Sequence, residues 1–355
     1  MRKTERNLSL QAAPIAVIFL LGLAFPSCSP GPVKGGPAKR IYSEAAWDEA
    51  GNRMIIFEGQ LGPTTTRADS WAWDPSKRAW KPIGGLEGDL PTCAMDYYAS
   101  AGTLVCFVGS RWTSISRGEG RNVSETWTYD AAADKWNLLE TVGNPTPGLL
   151  GSRVAYSPKA DRLVLFGGLV FFDKGGWKNE TWVLDLAAKT WTLMNPPENP
   201  PSRNYCQMAY DEKADRFIVF GSDHGEGGPA DLSTWAYDIG ANTWTRVDAS
   251  PMPETLVYAD MVYVPELGGC LLFGGVTGLD EKPRNGTWLL TAGKGWSKLD
   301  PPHAPSPRGW HSMAWDPVSK RVWLYGGGPR RNMPMNELWY WDLAKRDWFQ
   351  VEREL

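Results

Sequence analysis

Histidine is nearly missing from this 355-residue chain, which has only His224, His303 and His311, and cysteine is scarce at five. Neither type recurs at metal-ligand spacing, which argues against a zinc centre or a multi-histidine copper centre. No Gly-x-Ser-x-Gly elbow occurs, and no glycine-rich loop opens a helix, so neither a nucleophile elbow nor a phosphate cradle is indicated. No cofactor and no metal are expected. A basic surplus is also absent: 37 Lys plus Arg face 40 Asp plus Glu, a net charge of −3. That balance speaks against a nucleic-acid partner. The apolar run Ala12–Phe25 counts 14 residues, short of the roughly 20 a membrane-spanning helix needs. With 38 Gly and 28 Pro, long helices are excluded and short strands with many turns are favoured. What is abundant is tryptophan, at 20 residues.

Arg2, Lys3 and Arg6 precede the apolar run, which ends at Phe25-Pro26-Ser27-Cys28. A basic segment, a short apolar segment and a small residue make up a signal peptide, here residues 1–28. The small residue before Cys28 resembles a bacterial lipobox, although Phe25 and Pro26 depart from its usual pattern. The resemblance implies lipidation at Cys28 and a periplasmic or cell-surface address, with the membrane reached through the lipid. Residues 29–40, rich in Pro and Gly, read as a tether.

The tryptophans fall into pairs: Trp71/Trp80, Trp127/Trp136, Trp182/Trp191, Trp235/Trp244, Trp288/Trp296 and Trp339/Trp348. Spacing within a pair is nine residues in five copies and eight in one, and successive pairs start 56, 55, 53, 53 and 51 residues apart. In five copies an Asp follows the first Trp by three positions (Asp74, Asp130, Asp185, Asp238, Asp342), with Thr291 in the remaining copy. An Asp there can accept backbone amides of the following turn, so each pair reads as a hairpin. Upstream lies a second hairpin whose β-rich run ends in small residues, such as Phe166-Gly167-Gly168 and Phe273-Gly274-Gly275. Eleven residues before the first of those positions stands an aromatic in every copy: Trp47, Tyr98, Tyr156, Tyr210, Tyr263 and Trp315.

Each repeat therefore predicts four strands in about 53 residues, too little to bury both faces of its sheet alone. Six such sheets around an axis bury their aromatic faces against one another, an all-β, six-bladed propeller of four antiparallel strands per blade. The Gly-Gly ending, the Trp-Asp strand and the second Trp resemble kelch repeats across residues 41–352. The expected blades are about 41–82, 92–139, 150–194, 204–247, 257–299 and 309–351. Departures are Glu58, Ser110 and Ser222 in place of Gly. The paired Trp and the aromatic ring are read as core.

Resemblance to kelch propellers implies that ligands meet one face, built from the stretch before each first strand and the loop after the double Gly. Transferring that register gives three rows. The first carries Arg40, Arg203 and Arg308, with Pro91, Leu149 and Leu256 in the other copies. The second reads Tyr42, Cys93, Gly151, Tyr205, Tyr258 and Trp310, and the third Glu44, Met95, Arg153, Gln207, Asp260 and Ser312. Loops add Trp112, Trp177, His224 and Arg331, and His311 follows Trp310. Guanidinium groups hold carboxylates while aromatic faces cover apolar or sugar surfaces, so a protein or glycan ligand is expected and the chain reads as a binding scaffold more than an enzyme. The alternative is a carbohydrate-active enzyme resembling sialic-acid mutarotases. Glu44, Asp260 and His311 would then be acid/base groups, with Arg40, Arg153, Arg203 and Arg308 holding an anion. Cys93, Cys106, Cys206 and Cys270 are expected as buried thiols, with Cys106 opposite position 97.

Overall fold

The computed structural model describes residues 35–351, apart from 63–64, 68, 87–92, 115–116, 223–230, 249, 255–256 and 278–281. Six sheets follow one another along the chain, each built on four antiparallel strands in sequential order, the third carrying a short extra strand, Leu149–Leu150, on its second. Blade one is Glu44–Asp48, Arg53–Phe57, Ser70–Asp74 and Ala79–Ile83; blade two is Ala94–Tyr98, Thr103–Ser114, Glu119–Asp130 and Lys135–Leu139. Blade three is Arg153–Ser157, Arg162–Val170, Gly176–Asp185 and Thr190–Met194; blade four is Gln207–Asp211, Arg216–Phe220, Thr234–Asp238 and Thr243–Val247. Blade five is Asp260–Val264, Gly269–Phe273, Thr287–Thr291 and Gly295–Leu299; blade six is Gly309–Asp316, Arg321–Gly328, Leu338–Asp342 and Asp347–Gln350. The first strands neighbour one another in cyclic order, blade six closing on blade one. Every strand of a blade comes from its own repeat, so none is exchanged at closure. The protein is a six-bladed β-propeller.

The second Trp of each pair explains why the sheets stack. In all six interfaces it packs on a second-strand aromatic of the preceding blade, the last large one before the strand's small or glycine positions or its end. The pairs are Phe57–Trp136, Phe107–Trp191, Phe166–Trp244, Phe220–Trp296, Phe273–Trp348 and, across the closure, Tyr325–Trp80, with centroids 4.8–6.0 Å apart. Such pairs add to the large area an indole buries. Trp80 is half-buried, whereas the other five second members are buried. The first members are less buried than core status implies: Trp71, Trp127, Trp288 and Trp339 are half-buried. An indole N–H needs an acceptor, and five first members find a side-chain one two residues upstream, as in Trp182 Nε1 to Glu180 at 2.8 Å and Trp339 Nε1 to Glu337 at 2.9 Å; Trp288 has Gly286 there.

A second inter-blade device sits beside the stacking. The residue just before the first Trp is Ser or Thr in five blades, buried, and its hydroxyl accepts the N–H of the next blade's second Trp. Ser70–Trp136, Thr126–Trp191, Thr181–Trp244, Thr234–Trp296 and Thr287–Trp348 span 2.9–3.2 Å. Blade six has Leu338 there. Tyr325 instead donates to the Pro37 and Ala38 carbonyls at 2.9 and 3.1 Å, so the segment just before the first blade is fastened where the wheel closes.

The Asp three residues past the first Trp acts as expected, for example Asp130 accepting the Ala132 and Ala133 amides at 2.9 Å. The thiols are all free and buried, but one register expectation fails. Cys106 lies opposite Met95, not position 97, because Tyr98 pairs with Thr103. The hairpin tip is a short 3-10 turn closed by Gly102 at φ 63°. It encloses four residues as in blades one and three, but the first strand is shifted by one, so Tyr97 and not Tyr98 takes the ring position of Trp47 and Tyr156. The two thiols of Cys93 and Cys106 consequently contact each other instead of standing several residues apart.

Candidate functional site

The three row arginines turn inward. Arg40, Arg203 and Arg308 are fully buried and repeat one set of bonds. Each Nε donates to the carbonyl two residues back, and each Nη1 to the carbonyl eighteen residues on: Glu58, Gly221 and Gly326, at 2.8–3.2 Å. Each also pairs with an acid ahead of its blade's third strand: Asp69, Asp231 or Glu337 at 2.5–3.1 Å. Their own carbonyls accept the amide of the preceding blade's second glycine: Gly168 to Arg203, Gly275 to Arg308 and Gly327 to Arg40, at 2.8–3.0 Å. Gly167 shows why bulk is refused here: a Cβ would stand 2.5 Å from the Arg203 carbonyl oxygen, and its φ is +72°. These arginines are struts between blades.

The next row forms the mouth. Tyr42, Tyr205, Tyr258 and Trp310 all adopt left-handed φ, 48–60°, a conformation that costs a bulky residue roughly 1–2 kcal/mol. The backbone of the row explains it. The Tyr42 amide donates to Trp310, Trp310 to Tyr258, and Tyr205 to Gly151, at 2.7–3.0 Å, stitching neighbouring blades around the axis. The four side chains then meet over the axis with ring centroids 5.1–6.1 Å apart. Gly151 makes room; a Cβ there would stand 3.1 Å from the Tyr205 ring. Arg331 lies above, its guanidinium 5.4–6.0 Å from the Tyr42, Tyr258 and Trp310 rings and 3.0 Å from the Tyr258 hydroxyl. To one side, Trp112 of blade two packs on Phe171 and Phe172 at 5.2 and 4.9 Å; Phe171 is 39% exposed. Trp177, opposite Leu169 in blade three, is half-buried. His224, Pro91, Leu256 and Cys28 lie outside the described residues.

Below the aromatic stopper is a chamber of about 20 Å³ lined by Ser43, Glu44, Cys93, Ser152, Arg153 and His311, room for one water. His311 is 3% exposed and neither ring nitrogen makes a hydrogen bond of ordinary geometry among the described residues, the Phe273 carbonyl being its one looser polar neighbour. Burial, with the nearby Arg308 charge, pulls it down to about 3, so it is a neutral imidazole. Glu44 and Arg153 form an ion pair at 2.6 Å, and Arg153 Nε also donates to the Cys206 carbonyl at 3.0 Å.

That pair is the floor of a larger axial cavity of about 430 Å³, walled by the first strands of all six blades and reaching exposed residues of their turns on the opposite face. Trp47, Tyr97, Tyr156, Tyr210, Tyr263 and Trp315 line it. Asp260 accepts the Met261 and Met313 amides at 2.9 and 2.6 Å, and Asp96 accepts those of Tyr97 and Tyr156 at 2.8 Å. Each aspartate thus joins two blades. Burial raises Glu44 to about 7, against the opposing pull of Arg153 and with a further push from Asp260, and raises Asp96 to about 6. Burial also raises Asp260.

Glu58, a departure from the repeat pattern, stands in the left-handed position that Gly167 and Gly274 occupy, at φ 51°. It is fully buried with neither carboxylate oxygen hydrogen-bonded within ordinary geometry. Burial and the nearby Glu44 charge hold it well above the carboxylate range, offset in part by the Cys93 amide and thiol.

A wheel of six four-stranded blades, with aromatic rings gathered at one mouth and an open cavity at the other end, defines a six-bladed β-propeller. The family model for the KLHDC2/KLHL20/DRC7 Kelch-repeats domain matches residues 98–264. Kelch domain-containing protein 2 of Bos taurus is 21% identical over 329 residues, 80% of this chain and 76% of the relative. Kelch domain-containing protein 1 of Mus musculus is 23% identical, covering 64% of this chain and 61% of the relative. An F-box/kelch-repeat protein of Arabidopsis thaliana is 25% identical, covering 63% and 50%. Together with the blade architecture, these matches support reading the repeats as kelch repeats folded into a six-bladed β-propeller, similar to kelch-domain proteins.

Proposed function

We propose that this chain is an exported, lipid-anchored kelch propeller that holds a protein or glycan ligand against its mouth. The carrying observation is the cluster of Tyr42, Tyr205, Tyr258 and Trp310 beneath Arg331, with Trp112 and the exposed Phe171 beside it. Tyr258, Trp310 and Trp112 are themselves buried and back the surface, while the half-buried Tyr42 and Tyr205 and the exposed Phe171 present aromatic edges beside the exposed guanidinium of Arg331. That combination suits a ligand with an apolar or sugar face and an acidic group. The basic and apolar N-terminal segments and Cys28 support export and anchoring.

Among readings of the face, geometry favours binding over catalysis. Of the four arginines that an anion-processing enzyme would use, Arg40, Arg203 and Arg308 serve as struts and Arg153 is held by Glu44 and the Cys206 carbonyl.

A glycan and peptide array probed with the chain lacking residues 1–28 tests the binding reading. A hit that the R331A/F171A double variant loses supports it; a hit that survives both changes refutes the mouth assignment. For the address, C28S is expected to move the protein from the membrane to the soluble fraction of exporting cells. An unchanged distribution refutes lipid anchoring.

A further inference from the structure

We infer that the axial cavity is a second ligand site, separate from the mouth, that takes a small organic amine in its protonated form with the ammonium at the deep end beside Glu44. Charge is the first argument. Glu44, Glu49, Asp96, Glu212 and Asp260 line the cavity, and Arg153 is its sole cationic lining residue among those described. Arg153 is committed to Glu44, so four carboxylates face the space without a protein cation there. Acids crowded in a low-dielectric cleft focus a negative potential that draws a cation from solution. The same crowding is felt by the acids: Glu49 pushes up both Asp96 and Glu212, in each case after burial, which acts first.

The walls supply the second argument. Six aromatic side chains and the methionines of four blades line the space. Aromatic surface attracts cations, and its value grows as the site is desolvated. An apolar amine body gains from the same surface. A cavity of about 430 Å³ falls in the range that small-molecule sites occupy.

His311 supplies the third, and it concerns the deep end. This side chain lines the chamber that meets the cavity at Glu44 and Arg153, is almost wholly buried, and has no hydrogen bond of ordinary geometry at either nitrogen. Its one polar approach among the described residues is to the Phe273 carbonyl, which leaves the other nitrogen open as an acceptor. A buried neutral imidazole whose acceptor nitrogen is unmatched is costly unless a donor arrives. A protonated primary amine brings three N–H donors, enough for Glu44 and His311 together. A quaternary ammonium brings none. An anionic ligand would instead meet the carboxylate excess.

Calorimetric titration of the full chain at pH 8 with n-butylamine, putrescine, tetramethylammonium and butyrate tests this. Saturable binding of butylamine and putrescine is expected, with tetramethylammonium at least about tenfold weaker and butyrate silent. The E49Q/E212Q variant, changed only at the exposed rim, is expected to weaken amine binding about tenfold, while R331A at the mouth leaves it unchanged. Absence of saturation by both amines up to about 10 mM would overturn the inference. So would equal binding of butyrate or tetramethylammonium, or an E49Q/E212Q variant that binds as the unaltered chain does.

Discussion

Replacing Thr181 by valine keeps the shape of the side chain and removes one oxygen. In the fold that oxygen accepts the Trp244 indole N–H at 3.0 Å, Thr181 being 1% and Trp244 4% exposed. No water reaches the orphaned N–H, so the cost is the desolvation of an unsatisfied donor, about 1–3 kcal/mol. Trp244→Phe removes the donor as well as part of the ring that packs on Phe166 and Tyr237 at 4.8 and 4.9 Å. If the bond clasps blade three to blade four, the double variant loses less than the sum of the singles by about 1 kcal/mol. Equilibrium denaturation of the four proteins measures this. In a chain this long, each kcal/mol lowers the thermal midpoint by about 1.5 °C, so chemical denaturation is the sharper readout. A T181V variant within about 0.3 kcal/mol of the unaltered protein, or a coupling of zero, refutes the clasp as a source of stability.

Arg203→Ala strands Asp231 and the Gly221 and Ser233 carbonyls; a loss of about 3–5 kcal/mol is expected by denaturation, and a loss under about 1 kcal/mol contradicts its role as a strut. Glu44 has a folded-state pKa of about 7 against an ordinary 4.5, so the folded state holds its proton the more tightly. Its contribution is therefore present below about pH 4.5 and lost as pH rises to about 7, on the order of 3 kcal/mol. His311, lowered to about 3, works the other way, costing stability as pH falls from about 6.5 towards 3. Glu44→Gln is accordingly expected to flatten the decline in stability between pH 5 and pH 7, read from denaturant midpoints; an unchanged slope refutes the assignment. Amine affinity is expected to rise from pH 5 to pH 8 as Asp96 and Glu44 ionise, with Arg153, Asp260, Glu49, Glu58, Glu212 and His311 the charged or titratable neighbours; a flat profile by calorimetry excludes these acids as ligands.

The wheel was legible because its determinants are local and repeated. A Trp nine residues from its partner, an Asp three residues on and a double Gly recur at one period, and each does its work within its own blade or the next. The mouth was legible in part. Register alone brought Tyr42, Tyr205, Tyr258 and Trp310 into one row, and they do meet over the axis. What spacing cannot convey is which way a long side chain turns. Arg203 sits in a row next to that mouth, yet its guanidinium finds the Gly221 carbonyl and Asp231 inside the blade. Glu44, Arg153 and Asp260 share a row position, but the row descends the axis, so these groups line the cavity below the stopper. The hydroxyl clasp had a readable signal, Ser or Thr before the first Trp in five copies. Its meaning needed the neighbouring blade.

The stopper of four aromatic rings has a consequence for how the molecule can be used. A propeller with a clear bore is a tube, and whatever occupies one end competes with or passes to the other. Here the bore is blocked a short way in, so the molecule is a cup with a decorated underside: the two ends share a wall but no volume. A ligand seated in one leaves the other vacant and chemically unaltered unless the rings themselves are displaced, and one wheel can hold two unrelated guests at the same moment.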